Sequence, residues 1–164
     1  MTHEVPAISP LSLLARTMGY SDEAIYIQRE AADIAKNISA SVALSGQRDE
    51  VMRQLEEVLD DCGLRNWDGY GAEPVTLDAF KCAYRFLEAL PCGLPMPTLA
   101  ADTDGHITLE WYSGPTRVLS VSISPEAELF YAALLGRNQS RGSECFSGDV
   151  PETVLHLIKR VYGL

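Results

Sequence analysis

Apolar residues recur every three to four positions through the first part of the chain and every second position further on. The switch falls near residue 98. After Ser21, a suitable N-cap, Ile27, Ala31, Ile34, Ile38 and Val42 form one stripe and predict a helix over 21–44. Ser45-Gly46 ends it. Val51, Met52, Leu55, Val58, Leu59 and Cys62 then predict a second helix from about Arg48, which Gly63 stops. Two amphipathic helices with a short link read as an antiparallel hairpin. Ahead of it, residues 1–10 read as a loose arm and Leu11 to Met18 as a short helix opened by Pro10. A further helix starts after Thr76 and buries Ala79, Phe80, Ala83, Phe86, Leu87 and Leu90, until Pro91 and Pro95-Met96-Pro97 turn the chain outward.

The period then becomes two. A short strand is expected from Thr98 to Ala101, followed by the hairpin signal Asp104-Gly105. Ile107, Leu109 and Trp111 alternate with His106, Thr108, Glu110 and Tyr112. Leu119, Val121 and Ile123 alternate with Ser120, Ser122 and Ser124. Leu129 to Leu135 is apolar on both faces and reads as the last strand, and Gly136 to Val150 as a surface loop rich in Gly and Ser. Pro151 opens a final helix with Val154, Leu155, Ile158 and Val161 turned inward. The expected fold class is α+β: an N-terminal helical hairpin, a further helix, a small antiparallel β-meander of three to four strands and a C-terminal helix. Residues 1–64 form a helical N-terminal extension and 65–164 an α+β domain, the whole making one compact unit.

Charge narrows the function classes. The 164 residues carry a formal net charge of −10, spread over both portions, and no basic patch stands out along the chain. Direct binding to nucleic acid is therefore disfavoured. No apolar run approaches the roughly 18–20 residues that cross a bilayer. Met1-Thr2-His3-Glu4 lacks the basic and apolar regions of a secretion signal. The expectation is a cytoplasmic protein with reduced thiols. Its four cysteines (Cys62, Cys82, Cys92 and Cys145) lie far apart with no C-x-x-C pair.

Chemistry-bearing patterns are sparse. His3, His106 and His156 are isolated, no zinc spacing occurs, and Ser120, Ser122 and Ser124 lack a nucleophile-elbow context. No catalytic residue, metal or cofactor is called for. The acidic run Glu56, Glu57, Asp60 and Asp61 closes the second helix, where carboxylates oppose the helix dipole, and a basic partner would relieve that. Trp67-Asp68-Gly69-Tyr70-Gly71-Ala72 is the densest cluster of special residues. One reading is a rigid loop that presents Trp67, Asp68 and Tyr70 to a partner. The other is that Trp67 plugs the junction between hairpin and sheet while Asp68 ties the loop to itself. The polar strip that includes Glu110 and Tyr112 is a second partner-binding candidate if no helix covers it.

The stretch Asn66 to Pro74 resembles a W-D-G-Y-G-A-x-P signature of small uncharacterised bacterial and phage-borne proteins. Leu90-Pro91, Asp104-Gly105, Leu109-Glu110-Trp111, the strand Leu119 to Ser124 and Phe146 to Pro151 follow it in the expected order, so the likeness spans roughly residues 64–162. Where such proteins have a D-P-x-G-E turn, this chain has Ser124-Pro125-Glu126-Ala127-Glu128. The resemblance implies an α+β domain, a setting in mobile or defence-related gene islands, and no established activity.

The functional expectation is a non-enzymatic acidic interaction protein that binds and regulates or inhibits a protein partner, in the manner of an antitoxin, immunity or anti-defence protein. An acidic nucleic-acid mimic and a small enzyme with a site near Asp68 and Tyr70 are the alternatives. A homodimer through the helical hairpin stays open.

Overall fold

A computed structural model describes residue 29 and residues 46–164. The chain divides into two units, Met1–Val42 and Ala43–Leu164. The arm, the short helix at 11–18 and, apart from residue 29, the first hairpin helix over 21–44 lie outside the described residues.

Residues 46–62 are helical (α1). Val51 and Leu55 of α1 enter the same core as the sheet, so this helix belongs to the sheet's unit. An ion-pair ladder from Glu50 through Arg53 to Glu57 runs along its exposed side. Helix α2 (Leu77–Ala89) begins at Thr76, whose hydroxyl accepts the Ala79 N–H at 3.2 Å. Its last turn holds no basic residue of its own. Arg48 of α1 supplies one, donating to the carbonyls of Glu88 (3.3 Å) and Leu90 (2.8 Å) and satisfying acceptors that every helix end leaves open.

Five antiparallel strands follow in the order of the chain: β1 (Thr98–Ala101), β2 (Ile107–Gly114), β3 (Arg117–Ile123), β4 (Glu128–Leu135) and β5 (Asn138–Cys145). Helix α3 (Glu152–Tyr162) closes the fold and stops at Gly163, which is left-handed at φ 75°. The architecture is α+β, with five strands where the sequence pattern predicts three or four. The fifth strand is β5, in the stretch read as a loop. It pairs with β4 from Glu128↔Cys145 to Leu135↔Asn138. Backbone N–H and C=O groups make that pairing, and an edge strand that covers little core needs no apolar alternation.

Inward residues stack in rows across the sheet. Ile107 faces Ile123, Leu109 faces Val121 and Trp111 faces Leu119, and all six are fully buried. Full burial of each such aliphatic side chain contributes about 1.5–3 kcal/mol relative to exposure. Phe86 and Leu87 of α2 and Val154, Ile158 and Val161 of α3 complete the core. The Trp111 indole N–H is satisfied there by the Pro95 carbonyl at 2.8 Å. No described helix is long and apolar enough to cross a membrane.

Candidate functional site

The loop over residues 65–74 is built by its own hydrogen bonds. Asn66, Gly69 and Gly71 take positive φ values of 63°, 77° and 99°, which turns several N–H groups inward. Asp68 Oδ1 accepts two of them, from Tyr70 (2.8 Å) and Ala72 (3.0 Å). Asn66 Oδ1 accepts the Gly71 N–H at 2.7 Å. The Tyr70 and Ala72 amides hold the Asp68 carboxyl below the usual carboxylate range, because they stabilise its charged form. The Trp67 indole N–H donates to the Glu73 carbonyl at 3.1 Å, and Arg65 pairs with Glu73. Asp68 and Trp67 are thus engaged within the loop. Tyr70 is not: it is 95% exposed.

The loop sits on the turn between β1 and β2. The Glu73 N–H donates to the Thr103 carbonyl at 2.9 Å. Gly105 backs onto Pro74 so closely that a Cβ there would stand 2.7 Å from the Pro74 carbonyl oxygen.

The sheet's outer face begins at the same turn. Asp102 Oδ2 accepts the Ser122 hydroxyl at 3.1 Å and the hydroxyl of Thr108. The His106 ring lies parallel to Phe130, with centroids 5.8 Å apart. Further along, Glu110, Ser120 and Ala132 share one cross-strand row, and Tyr112, Val118 and Leu134 the next. The buried core lies on the other face, and no described helix covers this one. Tyr112 and Phe130 are 56% and 41% exposed.

The predicted residues therefore fall at two places. Trp67, Asp68 and Tyr70 stand at the β1–β2 turn. Glu110 and Tyr112 lie out along β2, and Tyr112 is roughly 20–25 Å from that turn at the rise of an extended strand. Phe130 was missed by sequence reasoning because β4 is apolar on both faces, so alternation gives no sign of which residues face outward. Asp102 was missed because a lone carboxylate in a turn carries no signature.

The geometry of Asp102, His106 and Ser122 also limits the chemistry. A serine nucleophile gives its proton to one imidazole nitrogen while a carboxylate holds the other. Here Ser122 Oγ and Asp104 Oδ2 both stand 3.4 Å from His106 Nδ1, and the Ser122 hydroxyl is directed to Asp102. This is a hydrogen-bonded network that ties the β1–β2 turn to β2 and β3, not an activated hydroxyl. Among the described residues no group of His, Cys, Asp and Glu gathers as a metal site.

No protein-family model matches the chain, and neither a curated protein nor a solved structure does.

Proposed function

We propose that the protein is a non-enzymatic, cytoplasmic interaction protein that binds and regulates a protein partner through the outer face of its sheet. One observation carries this reading. Phe130 and Tyr112 stand partly exposed on a face that no described helix covers, flanked by Ala132, Leu134 and Val118 and bordered by the polar residues Glu110, Asp102 and Ser120. An apolar centre with aromatic anchors and a polar rim is the usual anatomy of a protein interface. Glu110 on β2 and Arg141 on β5, at the two ends of the row through Ser120 and Ala132, give this face one charge of each sign, so a matching partner presents a basic group to one and an acidic group to the other. Tyr70, exposed on the loop held to the β1–β2 turn, provides a further aromatic anchor.

The test is an affinity pull-down of the tagged protein from its native host, alongside Tyr112→Ala, Phe130→Ser and Tyr70→Ala variants shown by circular dichroism to be folded. A stoichiometric partner retained by the wild type and lost by the sheet-face variants supports the reading. A partner that survives both sheet-face substitutions, or none at all with a folded monomer, overturns it.

A further inference from the structure

The protein carries 23 Asp and Glu residues, yet none lies in residues 111–125, 129–143 or 153–164. Those three segments supply the strand ends, the turn and the helix end that meet on one side of the molecule. Arg117 opens β3 opposite Leu135 at the end of β4, and Arg137 lies in the β4–β5 turn. Lys159 and Arg160 occupy the last turn of α3. Arg117 also reaches α3 itself, its guanidinium lying 3.5 Å from the Val161 carbonyl oxygen. None of these four cations forms an ion pair with a described carboxylate. A cleft of about 440 Å³ opens between Arg117 and Arg160, and Leu135, Gly136, Gly163 and Leu164 complete its lining.

We propose that this cleft binds a small phosphate-bearing anion, with Arg117 and Arg160 as the groups that hold it. Its volume lies in the range of small-molecule sites, roughly 300–1,000 Å³. The two guanidinium groups enter from different elements, a strand start and a helix end, so the anion must accept hydrogen bonds from two directions. A tetrahedral phosphate offers oxygens on several sides, whereas a carboxylate offers one planar edge. The negative end of the α3 dipole opposes an anion here by about half an elementary charge. Arg117 and Arg160, the two cations that line the cleft, outweigh it. The acidic remainder of the molecule is screened beyond roughly 8–10 Å at physiological salt. A nucleic-acid backbone would need a run of cations along its path, and the net charge of −10 disfavours it. The site is separate from the outer sheet face, so either reading can fail without the other.

The experiment is an amide NMR titration of the full chain at constant ionic strength with inorganic phosphate, glycerol phosphate and sodium chloride. Saturable shifts at the Gly136 and Gly163 amides are expected with both phosphates and not with chloride. If the phosphomonoester binds and free phosphate does not, the cleft still takes phosphate and the source is an organic ester. Arg160→Gln should weaken binding by about tenfold or more, and Arg117→Lys, which keeps the charge but loses the fork, should also weaken it. Arg85→Gln on α2, outside the cleft, should leave it unchanged. Shifts that follow ionic strength alone, or an affinity unaltered by Arg160→Gln, would overturn the proposal.

Discussion

The ring of Tyr131 lies across the backbone of its cross-strand neighbour Gly142: a Cβ built on Gly142 would stand 2.5 Å from the tyrosine hydroxyl oxygen and 2.7 Å from Cζ. The relationship explains how a polar edge strand is held to the core. Glycine leaves room, and a partly buried aromatic from the inner strand covers the gap. Gly142→Ala should therefore cost about 1 kcal/mol or more, because the ring must move to admit the methyl group. In a Tyr131→Val background the same change should become neutral or gain about 0.5 kcal/mol, the usual preference for alanine over glycine in a strand. Urea unfolding of the four proteins in this cycle measures the coupling, and additive effects would refute the ring–glycine contact.

The turn between β3 and β4 places Ala127 at φ 62°. Ser124 stabilises this turn, its hydroxyl accepting the N–H groups of Glu126 and Glu128, both at 3.2 Å. The left-handed conformation costs a non-glycine residue about 1–2 kcal/mol, against about 0.5–1 kcal/mol of extra backbone entropy lost by glycine. Ala127 also packs its methyl on the core, which offsets part of the difference. Ala127→Gly is expected to be neutral or stabilising by up to about 1 kcal/mol, and Ala127→Val to cost more than about 1 kcal/mol. Thermal melts of the two variants decide the order.

Asp68 makes the loop sensitive to acid. Its carboxyl is held below the usual range by the Tyr70 and Ala72 amides, so the stabilisation is complete above the ordinary carboxylate pKa and fades as pH falls through the folded value. Asp68→Ala should lower the melting temperature at neutral pH, and the gap to wild type should close in acid. Asp68→Asn, which keeps a neutral acceptor, should lose less. A gap that stays constant down to strongly acidic pH would show that the charge is not involved.

The four thiols should fall into two classes. Cys92 and Cys145 are exposed, whereas Cys62 and Cys82 are half-buried. Burial, reinforced by the Asp61 charge, pushes the Cys62 thiol up, which leaves less reactive thiolate. Timed alkylation read by mass spectrometry is expected to label Cys92 and Cys145 first and Cys62 only slowly. Early labelling of Cys62 would mean that α1 opens from the core.

Much of the candidate site was legible one residue at a time and little of it as an assembly. The glycines and Asp68 marked 67–72 as a tight loop, and the alternation on β2 assigned Glu110 and Tyr112 to the polar side. Tyr70 nevertheless stands in a loop held to the β1–β2 turn while Tyr112 lies out along β2, a separation that depends on where the loop lands on that turn. The cationic cleft was invisible along the chain. Arg117 and Arg160 lie far apart in the chain and meet only when β3 and α3 come together.

The α+β class, the Thr76 helix start, β1 and the inward rows of β2 and β3 were determined by sequence alone, because periodicity of burial and local capping act over a few neighbouring residues. Tertiary structure decided the rest: that α1 joins the sheet's unit, that residues 138–145 form a fifth strand, that Phe130 faces outward and that Arg117 and Arg160 share one cleft. Those outcomes depend on contacts between segments far apart in the chain. A backbone ladder, an uncovered face and a shared cleft leave no local pattern in the residues that form them.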